Sequence, residues 1–216
     1  MTKTTLIVLW LLVSLLSSGG FAAEEGGPPG PDLAGSALIV IDIQAFYFPG
    51  GMVPLVGPEA AATSAAKVIE IFRKTGRPVI HVQHLPGGVT APDATGIREQ
   101  YRIRPEVLPA EGEVLIGKHH ANSFRDTELL TVLRELEVTK VMVVGMQTHM
   151  CVEAAVRAAA DFGFDVTVVH DACATRDLTF NGERVPAAQV HAAALAAMEA
   201  SYATVVSTAE LVEGEQ

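Results

Sequence analysis

Positive charge is scarce in this chain. Fifteen lysines and arginines stand against 25 acids, for a formal net charge of −10 and a pI near 5.1. The composition therefore lacks the basic patch that nucleic acid or an anionic membrane surface would require, and the expected partner is a small molecule. Cysteine is scarcer still. Two residues, Cys151 and Cys173, cannot build a disulfide scaffold, so they must pair with each other, be buried or be used. Two glycine patterns that cradle phosphates, G-x-G-x-x-G behind a strand and G-x-x-x-x-G-K-[ST], do not occur. Their absence removes the nucleotide-binding reading that alternating strands and helices first suggest. The marked hydrophobic run, Leu6–Leu16, is shorter than the roughly 20 residues a membrane span needs.

That run has another reading. Lys3 precedes it and the small residues Ser17–Ala23 follow it, which is the layout of a secretory signal cleaved after Ala22 or Ala23. An uncleaved anchor is the competing possibility. The expected organisation is a signal peptide over residues 1–23, a Gly- and Pro-rich tether over 24–35, and one domain over 36–216. The protein would be exported to the periplasm or beyond, with no stable membrane insertion after cleavage.

About half of the residues are apolar, enough for one sizeable core. Ala37–Ile43 (ALIVIDI) is a continuous aliphatic run, the signature of a strand buried on both faces. Further strands are expected at Pro78–Gln83, Glu113–Gly117, Lys140–Gly145, Asp165–His170 and Thr204–Ser207. Helices are expected from Pro58 to about Thr75, over Asp126–Glu137, after Cys151 as far as Gly163, and from Pro186 to about Ser201. Strands alternating with helices predict an α/β fold: three layers, α/β/α, around a mostly parallel sheet of about six strands. The long irregular segment Pro86–Gly112 has the character of a functional cover.

In such sheets ligands bind beyond the carboxyl ends of the strands. Three reactive groups emerge there: Asp42 after the first strand, Lys118 after the third, and Cys151 just past the fourth. A thiol, a carboxylate able to take its proton and a cation able to steady the anion make a complete set for nucleophilic catalysis. The strand-to-helix position of Cys151 also predicts a thiolate favoured by the helix dipole. Cys173, in the segment DACAT, reads as a buried small hydrophobe or as a disulfide partner of Cys151.

The segments ALIVIDIQ, GEVLIGKHHANSF and VVGMQTHMCVEAAVRAAADFGFDVTVVHDACAT resemble the isochorismatase-like cysteine hydrolases, a superfamily that includes nicotinamidases and other small-amide hydrolases. The resemblance covers nearly everything after Gly35. It implies a catalytic triad of Asp42, Lys118 and Cys151, and a cis peptide at Met146–Gln147 that turns the N–H groups of Gln147 and Cys151 toward an oxyanion. It also implies a homo-oligomer. Zinc-binding members carry a D-x-H pair after the second strand, where this chain has Gln83, His84 and Leu85, so neither a metal nor another cofactor is expected.

The implied function is hydrolysis of a C–N bond, amide or lactam, in a small molecule through a Cys151 thioester. Vinyl-ether hydrolysis of the isochorismatase type and a non-catalytic oligomeric binding protein of the same fold are the alternatives. Proximity in sequence to the triad suggests pocket walls in Phe46–Val53, Pro86–Tyr101 and His120–Phe124, with Phe48, His84, His120 and Phe124 as the side chains expected to face the substrate.

Overall fold

The structure is a computed structural model that describes residues 32–214. The expected signal peptide and most of the tether therefore lie outside the described residues. The last four tether residues, 32–35, are packed on the domain: Leu33 is buried, and Asp32 pairs with Lys140 at 2.7 Å.

Six strands form one sheet: β1 (Ser36–Ile41), β2 (Val79–His84), β3 (Val114–Lys118), β4 (Lys140–Met146), β5 (Asp165–Ala174) and, counting past a separate hairpin, β8 (Thr204–Val206). The order is β3-β2-β1-β4-β5-β8 and every pairing is parallel. The helices are α1 (Pro58–Lys74), α2 (Leu129–Glu135), α3 (Glu153–Asp161), α4 (Ala187–Glu199) and α5 (Thr208–Gly214).

Strand periodicity sorts the core into two layers. Leu38, Val40, Met142 and Val144 face one side and pack with Val68, Ile69 and Phe72 of α1 and Leu211 of α5. Ala37, Ile39, Ile41, Val141 and Val143 face the other and meet Leu129 and Leu133 of α2, Ala155 and Val156 of α3, and Leu195 and Met198 of α4. With both faces covered, every residue of β1 is buried.

Besides α5, which was not expected, three elements differ from the sequence reading. β5 runs to Ala174 instead of closing at His170–Asp171, because a register shift against β4 between Val143 and Gly145 lets pairing resume with Gly145 opposite Cys173. Cys173 therefore sits in a strand. α2 begins at Leu129 and not at Asp126, whose φ of 56° is left-handed and non-helical. The third is an antiparallel hairpin, β6 (Leu178–Phe180) and β7 (Glu183–Val185), turning on Asn181–Gly182 with φ of 50° and 82°. Both torsions positive is what a two-residue type I′ turn requires, and Asn-Gly supplies them cheaply.

The direction in which strands are added reverses between β1 and β4: from β1 the chain builds outward through β2 to β3, then returns to lay β4 on the other side of β1. Connections leave these two carboxyl ends in opposite directions and open a crevice. Close approach there depends on Gly145, whose φ is 132°; a Cβ at this position would meet the Ile41 carbonyl oxygen at 2.0 Å. Gly145→Ala is expected to destabilise the domain by about 2–4 kcal/mol, read from urea denaturation, because it adds a backbone clash to an unfavourable torsion.

Candidate active site

Asp42 follows β1 directly, with a left-handed φ of 50°. Its N–H donates to the Val82 carbonyl at 3.0 Å, tying it to the neighbouring strand. Lys118 ends β3, which is the sheet edge, with β2 between it and β1. The lysine nevertheless spans the end of β2, and its Nζ lies 2.6 Å from Asp42 Oδ2, with both side chains fully buried. Nζ also donates to the His120 carbonyl at 3.1 Å. Cys151, 4% exposed, sits in a single π-helical turn, Thr148–Val152, between β4 and α3. Its thiol lies close enough to both Asp42 and Lys118 for each to act on its protonation. The Met146–Gln147 peptide just upstream is cis. The three residues singled out from separate parts of the sequence thus meet in one place.

Electrostatics correct one expectation. Burial, followed by the adjacent Asp42 charge, pushes the Cys151 thiol up to about 12, against a smaller lowering effect of Lys118. Desolvation outweighs whatever the helix start contributes, so Cys151 rests as a thiol and not as a preformed thiolate. Burial acts to lower the pKa of Lys118, but the Asp42 carboxylate beside it outweighs that and raises it, keeping the ammonium charged. Both cysteines are free, so the Cys151–Cys173 bridge is absent.

Beyond Cys151 opens a cleft of about 300 Å³ lined mainly by apolar groups. Phe46, Tyr47, Met52 and Val53 come from the loop after β1, His84 from the end of β2, and Tyr101 from the segment between β2 and β3. Ala121, Gln147, Met150 and Arg176 complete it. Burial lowers the pKa of His84, so its ring is neutral near pH 7. Of the four predicted wall residues, His84 alone lines this cleft. Phe48 is turned inward beneath the loop, with the Arg104 guanidinium 4.3 Å from its ring centroid. Phe124 stacks on Phe162 at 5.3 Å between ring centroids. The His120 ring points to Asp126, 3.3 Å away, and this residue serves the site through its backbone carbonyl.

The three predicted segments do supply Phe46, Tyr47, Met52, Val53, Tyr101 and Ala121, so proximity gives the segment but not which side chain turns inward. Met150 and Arg176 lie outside them. Arg176 carried a readable signal, because it follows a strand's carboxyl end; that strand simply ends later than its apolar pattern suggests.

The cover segment is fastened by two buried glutamines. Gln83 Nε2 donates to the Asp93 and Tyr101 carbonyls at 2.9 and 3.1 Å, while its Oε1 accepts from the Asp93 N–H at 3.0 Å. Gln44 Nε2 donates to the Tyr101 and His84 carbonyls, and its Oε1 accepts from the His84 N–H at 2.8 Å. Gln83 thus spends its whole amide on the cover.

The buried thiols give a pH signature. Cys173, like Cys151, is raised by burial to about 12. A thiol that titrates near 9 when unfolded and near 12 when folded contributes stability fully below about pH 9 and loses it as pH rises toward 12. Cys173→Ala is expected to make the fall in stability above pH 9 shallower by about 1.4 kcal/mol per pH unit, one proton's worth, read from denaturation curves between pH 8 and 11.

Residues 36–210 match the isochorismatase domain family. An uncharacterized isochorismatase family protein of Bacillus subtilis, YddQ, is 46% identical over 173 residues, which is 80% of this chain and 96% of that protein. The secreted isochorismatase effector Isc1 of Verticillium dahliae is 34% identical, over 88% of this chain and 98% of its own. The crystal structure of an isochorismatase from Pseudomonas putida superposes with a TM-score of 0.77 at 37% identity, covering 86% of this chain and 94% of that one. A maleamate amidohydrolase of the same species is 29% identical over 65% of this chain and 72% of its own length. This chain belongs to the isochorismatase domain family and is a hydrolase of that family.

Proposed function

We propose that the protein is a cysteine amidohydrolase that cleaves a C–N bond of a small molecule through a Cys151 thioester. The observation that carries this reading is the placement of Cys151, which lines the cleft, beside a fully buried Asp42–Lys118 pair whose charges act on its thiol. Because the thiol rests protonated, the base must act during attack: Asp42 takes the proton as Sγ bonds to the substrate carbonyl carbon. The backbone N–H groups of Gln147 and Cys151 hold the developing oxyanion, a device worth about 2.7–4 kcal/mol per donor. Collapse of that intermediate breaks the C–N bond, with Asp42 returning its proton to the leaving amine. Water, deprotonated by Asp42, then releases the acid from the thioester. Lys118 lowers the energy of the thiolate as it forms and fixes Asp42 beside it.

Charge indicates where to begin with substrates. Asp42 and Lys118 balance, His84 is neutral, and Arg176 makes no ion pair among the described residues, so the cleft carries a surplus positive charge. A small amide that also bears a carboxylate complements it, and the amidohydrolase relative acts, by its name, on such a compound.

Export is inferred from residues 1–23 and agrees with the secreted relative. A homo-oligomer is proposed from the resemblance alone, and light scattering on the purified protein reads it.

The test is ammonia release from a panel of primary amides with and without a carboxylate. Cys151→Ala and Asp42→Asn are each expected to lower kcat by about 10³-fold or more, at the scale of losing a nucleophile or its base. Turnover that survives Cys151→Ala overturns the thioester route in favour of chemistry that needs no cysteine. Arg176→Met is expected to raise KM about tenfold or more for carboxylate-bearing amides and to leave neutral amides nearly unchanged. For export, N-terminal sequencing of the secreted protein is expected to begin at Ala23 or Glu24.

A further inference from the structure

The side chain of Gln147 is buried at 4% exposure, lines the cleft, and sits four residues before Cys151. Its Nε2 donates to the Tyr47 hydroxyl at 3.3 Å. With the amide in that orientation Oε1 is the other pole, and it is buried without a hydrogen-bond partner. A buried carbonyl oxygen left unpaired is unfavourable, and native structures leave few of them without a purpose. Its anchor is firm: Tyr47 is 6% exposed, and burial, followed by the charge of Asp42, raises its pKa so that the hydroxyl stays protonated. The rings of Phe46 and Tyr47 pack at 4.2 Å between centroids, which steadies the tyrosine from behind.

An acceptor with no donor, on a side chain that lines the cleft, is a complement to an N–H that the substrate brings. We propose that Gln147 Oε1 accepts a hydrogen bond from the carboxamide N–H of the substrate, with Tyr47 as the positioning residue that presents it. Resting on the amidohydrolase reading above, this makes one residue read both poles of a carboxamide: its backbone N–H faces the carbonyl oxygen, and its side-chain oxygen faces the nitrogen. The site then selects primary and secondary amides. Esters and N,N-disubstituted amides offer no N–H, and binding them leaves Oε1 unpaired. Sites built to hydrogen-bond a substrate group reject analogues that lack it far more strongly than apolar pockets reject a missing methylene.

The test compares the rates at which 2-chloroacetamide and 2-chloro-N,N-dimethylacetamide alkylate Cys151 at pH 8, each normalised to its rate with free cysteine. Methyl methanethiosulfonate, which has no amide, reports the general reactivity of the thiol in every variant. The wild type is expected to prefer the N–H reagent by about tenfold or more. Gln147→Met is expected to bring the ratio to about one. Gln147→Glu keeps an acceptor in place and is expected to keep the preference, and Tyr47→Phe is expected to cut it at least about threefold by freeing the side chain.

A wild-type ratio near one overturns the proposal. So does a preference that survives in Gln147→Met, because it would come from the bulk of the methyl groups. Should Gln147→Met not fold, an unchanged ratio in Tyr47→Phe overturns it instead. The two readings separate in the same data. Cys151 alkylation that is indifferent to Asp42→Asn, with the N–H preference intact, would remove the cysteine-hydrolase reading alone. Asp42-dependent alkylation without the preference would remove the role of Gln147 alone.

Discussion

Two opposite charges, taken completely out of water, set the terms for the rest of the molecule. An isolated buried lysine or aspartate is untenable at neutral pH, so Asp42 and Lys118 are each tolerable only because of the other. Strand order must therefore bring the ends of β1 and β3 to the same sheet edge, with β2 short enough at His84 for the lysine to pass. The left-handed torsion at Asp42, the bond from its N–H to β2 and the His120 carbonyl on Lys118 all hold the pair in register. Cys151 is placed beside an ion pair that is already fixed.

Much of this arrangement was legible in the sequence, for physical reasons. Aliphatic runs such as ALIVI and VMVV can be little other than strands covered on both faces, and polar residues that interrupt such runs at their carboxyl ends stand out. That is how Asp42, Lys118 and Cys151 are found, and with them the fold class. What could not be read depends on contacts distant in sequence. Burial of the Cys151 thiol is a property of the closed pocket, so a local argument from the helix start gives the wrong protonation state. The inward turn of Phe46 and Tyr47, as against the structural packing of Phe48, depends on Tyr101 and Arg104 across the cover. The length of β5 depends on a register shift against β4 that no single-strand pattern encodes. The Asn181–Gly182 turn, by contrast, is encoded locally by its Asn-Gly pair, although no hairpin was expected there.

The cover over the cleft shows how neutral groups can do the work of charged ones. Gln44 and Gln83 are fully buried amides, and each binds backbone groups through both ends. Amides carry equal numbers of donor and acceptor functions in a fixed plane, so they satisfy a looped backbone without the desolvation cost of an ion. Their attachment does not titrate, and the wall formed by Tyr101 keeps its position when the charges beneath it change.

The protonated resting state of Cys151 also bears on its chemical durability. Peroxides and disulfides react with thiolates far faster than with thiols, so a thiol held near pKa 12 is a poor target for both. Cys173, buried in β5 with a similarly raised pKa, has the same protection and offers no easy partner for a mixed disulfide. Two free cysteines that are both buried and both held as thiols are less open to oxidation than exposed ones.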